Sequence, residues 1–145
     1  MSQTKSQYYL SKRSKKRLQG VNPKLVAVIT RAIEITEQDF TVLEGLRTPK
    51  RQKWLKRNGY SWTLKSKHLT GRAVDVAPWV IKNGKGTIDW NDLKKFEDIK
   101  NAIFSAAKEQ DVKIRWGGDW NQNGDYRDEI RRGVYDGGHF ELVGE

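Results

Sequence analysis

The sequence has 145 residues and only two histidines, and each stands close to an aspartate and to glycines: His68 in SKHLTGRAVDVAPW and His139 in YDGGHFELV. There is no cysteine, which excludes disulfides, thiolate metal sites and a thiol nucleophile. A metal site in this chain must therefore draw on His, Asp, Glu and other oxygen ligands. His68 and Asp75 are too far apart in sequence for ligands on adjacent helical turns. Their spacing suits a loop ligand followed, across TGRA, by a strand ligand, with Gly71 letting the backbone reverse. Ala73 and Ala77 would share the strand face of Asp75 and leave room above it. His139 opens the last strand-like run and becomes a third ligand if the two strands are neighbours. Three protein ligands with a fourth position left for water is the arrangement of a catalytic zinc site. Asp136 precedes His139 by one tight turn, Gly137-Gly138, so both side chains can converge on one point. A carboxylate beside a metal-activated water is a general base. Each histidine alone reads more simply as a structural or surface residue; the metal reading rests on the two pairs taken together.

These residues need elements to hold them. In NPKLVAVITRAIEITE, Asn22 caps, Pro23 opens, and Leu25, Val28, Ile29, Ala32 and Ile33 recur at helical spacing. FTVLEGLR reads as a strand ending at Gly45, and TPKRQKWLKRNG as a short helix capped by Thr48 and ended by Gly59. RAVDVAPWVI alternates, with Val74 and Val76 on the face opposite Asp75; GKGTIDW reads as a turn. NDLKKFEDIKNAIFSAAKEQ is a long amphipathic helix with Leu93, Phe96, Ile99, Ile103 and Ala106 on one face, and VKIRWG and HFELV are two further strands. Helices and strands mix without a βαβ repeat. The expected class is α+β: one small domain over residues 21–145, a mainly antiparallel sheet flanked by helices, with the zinc site on the sheet. Residues 1–20 read as a basic, flexible arm or a short docking segment.

Composition sets further bounds. With 36% hydrophobic residues and six tryptophans the chain is globular, and no apolar run reaches the ~18 residues of a membrane span. The N-terminus lacks the layout of a secretory signal. Residues 1–72 carry 17 Lys and Arg against 4 Asp and Glu, while residues 73–145 carry 11 against 14. A basic half suits a polyanionic partner, such as an anionic cell-wall or envelope surface; it equally suits a solvated surface that keeps the protein soluble. No nucleic-acid motif is present, and no nucleic-acid partner is expected.

The segment SKHLTGRAVDVAPW resembles the Ser-x-His-x-x-Gly-x-Ala-x-Asp segment of the D-alanyl-D-alanine carboxypeptidase/VanY-like zinc peptidases. WGGDW and DGGHFELV resemble that family's closing segment, commonly Asp-x-Pro-His-Phe-Glu, with Gly138 in place of the proline. Together with IDWNDL and GDYRDEIRRGVYDGGH, the chain is most similar to phage endolysins that are L-alanyl-D-glutamate peptidases, from about Lys16 to Val143. The resemblance implies zinc on His68, Asp75 and His139, with Asp136 as the catalytic carboxylate. GLRTPKRQ resembles the family's Gly-x-Arg-Thr segment, which places Arg47 as the arginine that contacts substrate or the developing oxyanion, against the simpler reading of one more surface cation. Gln52 and Ser66 lie near these motifs as polar groups that line the substrate site or else cap turns. Glu141 follows His139 on its strand face, either as a hydrogen-bond acceptor behind it or as an exposed edge glutamate. The implied partner is peptidoglycan and the implied activity is hydrolysis of its stem peptide at the L-alanyl-D-glutamate bond. Without a signal peptide, a monomeric lysis enzyme would wait in the host cytoplasm until a separate pore releases it to the wall.

A second constellation lies in DWNQNGDYRDE. Asp119, Asn121, Asn123, Asp125 and Glu129, with a glycine turn at Gly124, follow the order of an EF-hand calcium loop, although the glutamate falls one position early and Asp128 is a second candidate for the late carboxylate. An Asn/Gly-rich turn is the plainer reading. The segment is longer here than in most of the peptidase family and resembles that of calcium-regulated phage peptidases, so a regulatory Ca2+ is expected beside Zn2+. Two alternatives stay open on sequence alone: a D-alanyl-D-alanine carboxypeptidase on the same scaffold, and a non-catalytic basic module, binding cell wall or nucleic acid, with a structural metal.

Overall fold

The computed structural model describes residues 8–61 and 63–144; the first seven residues of the expected basic arm lie outside the described residues. The elements, in order, are α1 (Lys12–Arg17), α2 (Pro23–Ile35), β1 (Phe40–Glu44), α3 (Pro49–Arg57), a 3-10 turn (Lys67–Thr70), β2 (Ala73–Lys82), β3 (Lys85–Ile88), α4 (Leu93–Glu109), β4 (Ile114–Trp116), α5 (Arg127–Arg131) and β5 (His139–Leu142). The strands form an antiparallel sheet in the order β1-β2-β5-β4, and β3 pairs with the far end of β2. The α+β class, the antiparallel sheet and the expected long helices are all present.

The helices start where their caps dictate. The Asn22 side chain accepts from the Lys24 amide with Pro23 in the first turn, Thr48 accepts from Arg51, and Asp92 accepts from Lys94. In α2, Leu25, Val28, Ile29, Ala32 and Ile33 are buried as their spacing requires. In α4 the buried face is Phe96, Ile99, Ala102, Ile103, Ala106 and Ala107; Leu93, at the first turn, is 40% exposed instead. The helices α2 and α4 pack on each other, and α4 packs on β2 and β4. Their apolar stripes meet Phe40, Val42, Val74, Val76, Trp116, Phe140 and Leu142 of the sheet in one core. Helix α1 packs on β1: Ser14 is buried, its hydroxyl accepts from the Val42 amide, and Leu18 joins the core.

Because strand side chains alternate, giving one face to the helices leaves the other free for polar residues. On that second face Asp75 sits opposite His139, and Glu141 sits between Ala73 and Arg115 on the neighbouring strands. A bulge between Val42 and Glu44 shifts the β1–β2 register so that Glu44 also comes opposite Asp75. Segment 85–88, read from sequence as a turn, is a strand that forms a hairpin with the end of β2. No helix among the described residues is long and apolar enough to cross a membrane.

Candidate metal centre and cleft

The condition set for a third ligand, that the two strands be neighbours, is met: Asp75 and His139 are direct cross-strand partners. His68 reaches them from the 3-10 turn, whose start is capped by the Ser66 hydroxyl accepting from the His68 amide and whose end is Gly71 at φ +70. Asp75 Oδ1 lies 3.2 Å from His68 Nε2 and 3.1 Å from His139 Nδ1. Among the described residues, this is the one group of three imidazoles or carboxylates close enough to share an ion.

The outer nitrogen of each ring is held as a donor. His68 Nδ1 donates to the Gly45 carbonyl at 2.8 Å, and His139 Nε2 donates to Glu141 Oε1 at 2.8 Å. The inner nitrogens, His68 Nε2 and His139 Nδ1, are thereby both turned to Asp75 Oδ1, where a metal ion would take the place of any proton they carry. His68 Nε2 is buried and has no hydrogen-bond partner. Glu141 is itself gripped by Arg115 Nη2 at 2.7 Å and Lys67 Nζ at 3.3 Å. Burial raises the Glu141 carboxyl, but the hydrogen bonds from His139 and Arg115 outweigh that and hold it down at about 2. For His139 burial works downward, yet the Asp75 and Glu141 carboxylates prevail and push the imidazole up to about 9. At Asp75 burial works upward, and the His139 and His68 rings beside it more than reverse that, leaving the carboxyl well below the usual range. The pocket thus draws positive charge to the point between the three side chains.

Asp136 hydrogen-bonds through its backbone to Gly117 and to the His139 amide, which closes the turn into β5. Its side chain lines the same cleft as the cluster. Water reaches the carboxylate from the cleft, but protein hems it in on the other sides; that burial and the Asp75 charge raise its pKa above the ordinary aspartate value. Gly138, which stands where the resembling family commonly has proline, presses on β2: its carbonyl accepts from the Val76 amide at 2.8 Å, and a Cβ there would run into the Val76 carbonyl oxygen.

Arg47 is only 9% exposed and is held on three sides, by Glu44 at 2.7 Å, Gln52 Oε1 at 2.7 Å and Asp75 Oδ2 at 3.5 Å. Gln52, expected among the polar groups near the site, lies behind the cleft wall at 1% exposure. Its amide donates to Ser61 Oγ and the Thr63 carbonyl, so it braces Arg47 and the loop that follows α3. Ser66 both caps the turn and lines the cleft. Glu44, Lys67, Arg115 and Trp120 complete the surroundings without having been singled out in the sequence. The cleft measures about 1020 Å³.

The 119–129 segment is closed by its own side chains. Asp119 accepts from the Asn123 and Gly124 amides, Asn123 from Asp125, and Asp125 from Arg127. Asp128 accepts from the Asn121 and Asn123 amide groups. Glu129 is wholly covered, and its Oε1 has no partner. Burial and then the neighbouring Asp128 raise the Glu129 carboxyl, while the bonds from Glu129 and Asn121 hold Asp128 low. Trp120 ties this segment to the centre: its Nε1 donates to the Val134 carbonyl at 2.7 Å, and its ring lies 5.2 Å from that of His139.

A sequence model of the phage L-alanyl-D-glutamate peptidase family matches residues 6–143. The chain is 48% identical over 139 residues to the L-alanyl-D-glutamate peptidase of Escherichia phage T5, covering 94% of this chain and 98% of the relative. It is 34% identical over 83 residues to that of Listeria phage A118, covering 57% of this chain and 27% of that longer protein. In three dimensions it matches the crystal structure of the L-Ala D-Glu endopeptidase ChiX of Serratia marcescens with a TM-score of 0.76 and 36% identity, covering 93% of this chain and 90% of the other.

Proposed function

The chain belongs to the phage L-alanyl-D-glutamate peptidase family, and from that premise we propose that it cuts peptidoglycan stem peptides with a zinc ion held by His68, Asp75 and His139 and with Asp136 as general base. One observation carries the metal reading: both imidazoles have their outer nitrogens engaged by oxygen acceptors and turn their inner nitrogens toward one Asp75 oxygen, with His68 Nε2 buried. The separations of 3.1 and 3.2 Å are close to the roughly 3.3 Å between neighbouring ligand atoms around a tetrahedral zinc with bonds near 2.0–2.1 Å. A donor set of two imidazoles and a carboxylate is one that catalytic zinc uses.

A zinc ion there would supply a water of lowered pKa and polarise the scissile carbonyl. The chain's own residues do the rest. Asp136 takes a proton from the attacking water at its carboxylate and delivers it to the departing amine nitrogen of D-glutamate, and its raised pKa suits a group that must both accept and return a proton. Arg47, pinned by Glu44 and Gln52, keeps a positive charge beside Asp75, where negative charge grows as the tetrahedral centre forms. Glu141 holds the His139 ring by Nε2 so that Nδ1 is the nitrogen turned to the metal position. The test is metal content: the native protein should hold about one zinc per chain, and His68→Ala or His139→Ala should lose it together with activity. Full occupancy in both variants would overturn the ligand set.

We propose further that a regulatory calcium ion binds the 119–129 segment. The buried, unpartnered Glu129 Oε1 and the Glu129–Asp128 carboxyl pair supply oxygens that a divalent cation would satisfy, beside Asp119, Asn121, Asn123 and Asp125. Trp120 gives the coupling, since ordering the segment would fix the indole against Val134 and His139 and so set the turn that carries Asp136. Calcium titrated into zinc-loaded enzyme should raise turnover at constant zinc, and Glu129→Ala should abolish the response. A flat titration with no heat of binding would leave the segment as an Asn/Gly turn.

A further inference from the structure

We propose that Trp54 and Tyr60 form a platform for the glycan strand that carries the stem peptide, an inference that rests on the stem peptide occupying this cleft. The two rings are stacked, 5.7 Å between centroids and 13° from parallel, and both line the cleft that contains the metal cluster. They are exposed, Trp54 by 44% and Tyr60 by 73%. Large flat rings left open to solvent at the mouth of a cleft mark a binding surface. The apolar C–H face of a hexose ring stacks on such a surface.

The platform is rigid, as a preorganised site requires. Helix α3 ends in a Schellman turn: Gly59, at φ +79, donates to the Lys56 carbonyl, and Tyr60 donates to the Leu55 carbonyl at 2.8 Å, which folds Tyr60 back over the last turn and onto Trp54. The Arg51 guanidinium covers Trp54 at 5.2 Å and reaches Glu44, which in turn holds Arg47 beside Asp75. A continuous set of contacts therefore ties the platform to the reacting centre.

Substrate chemistry places a sugar in the same cleft. In peptidoglycan the L-alanine is amide-linked to the lactyl group of muramic acid, so only one residue and a lactyl separate the scissile bond from the sugar. At about 3.3–3.6 Å per extended residue, the sugar cannot lie far from the cluster. The cleft, about 1020 Å³, exceeds what a dipeptide fills, since pockets of about 300–1,000 Å³ bury drug-sized ligands. The wall also suits an anionic polymer: from Gly45 to Val74 the sequence has no acidic residue, and Lys50, Arg51, Lys53, Lys56 and Arg57 are exposed on α3. Stacked rings with cations serve single-stranded nucleic acid as well, so oligothymidylate is included as a competitor.

The experiment compares wild type with Tyr60→Ala, Tyr60→Phe and Trp54→Ala on two substrates: intact peptidoglycan strands, and the stem tripeptide with its L-alanine N-acetylated and no sugar. The ratio of kcat/KM on strands to that on the acetyl peptide should fall about tenfold in both alanine variants, which corresponds to about 1.4 kcal/mol, and Tyr60→Phe should keep the wild-type ratio. Calorimetry with glycan strands stripped of their peptides by an amidase should give binding to wild type and little to Tyr60→Ala, whose exposed ring can be removed without opening the core. An unchanged ratio, equal binding of stripped strands to both proteins, or binding of oligothymidylate in place of glycan would overturn the proposal. Failure of wild type to release peptides that begin with D-glutamate would instead overturn the peptidase reading, and the stripped-strand titration is independent of that outcome.

Discussion

Glu141→Gln isolates what the group behind His139 contributes. The carboxylate is 5% exposed, and its two oxygens are fully used, one by His139 Nε2 at 2.8 Å and the other by Arg115 at 2.7 Å and Lys67 at 3.3 Å. An amide of the same shape can satisfy only one side. If its oxygen faces His139, its NH2 faces Arg115 and Lys67, which are about a third exposed and turn to water, so the grip that fixes the group behind His139 is lost. If its NH2 faces His139, the ring must move its proton to Nδ1, the atom that faces Asp75, and that nitrogen can no longer bind a metal. Either way the metal site suffers, by the 10–100-fold in affinity typical of losing such an outer partner, or about 1.4–2.8 kcal/mol. Competition with a chromophoric chelator measures the dissociation constant, and melting of the chelated proteins checks the fold. A dissociation constant within about twofold of wild type, in a folded variant, would contradict the assignment of Nδ1 as the ligand atom and of Glu141 as the group that fixes it.

The metal should change the pH dependence of stability in a definite sense. In metal-free protein the His139 pKa is raised to about 9 from an ordinary 6.5, so its contribution is fully present below 6.5 and lost as pH rises through 9; Glu141, lowered to about 2 from 4.5, contributes above 4.5 and loses that contribution as pH falls through 2. Metal binding must displace the His139 proton, so the gap in Tm between loaded and chelated protein should widen between pH 6.5 and 9, with affinity rising about tenfold per pH unit if one proton leaves per ion; a constant gap would contradict this. Gly138→Ala should destabilise by about 1–3 kcal/mol, because its Cβ meets the Val76 carbonyl; an unchanged denaturation midpoint would contradict the close packing of that turn.

Much of this site could be read from the sequence because short-range rules govern its parts. The spacing of His68 and Asp75 implied a loop followed by a strand, and the structure supplies a capped 3-10 turn, Gly71 and β2. The alternation of Val74 and Val76 against Asp75 fixed which face meets the helices. What escaped depends on register or on partners far along the chain. Glu44 reaches Asp75 only because a bulge shifts β1, and a bulge leaves no periodic signal. The strand β3 pairs only with the exposed end of β2, so its residues carry no apolar alternation and read as a turn. Helix α5 has five residues and no side-chain cap. The grip of Arg115 and Lys67 on Glu141 joins residues 26 and 74 positions away across the sheet, beyond any local pattern.

In the proposed mechanism one centre holds the metal while a separate carboxylate moves the proton. It is tested most directly by Asp136→Asn loaded with zinc, assayed on peptidoglycan with the products read by mass spectrometry. That variant should hold about one zinc per chain with an unchanged fold, and its turnover should fall by about 10²–10⁴-fold, the range of a lost general base, with residual products still beginning at D-glutamate. Near-wild-type turnover, or loss of the zinc together with the activity, would contradict it.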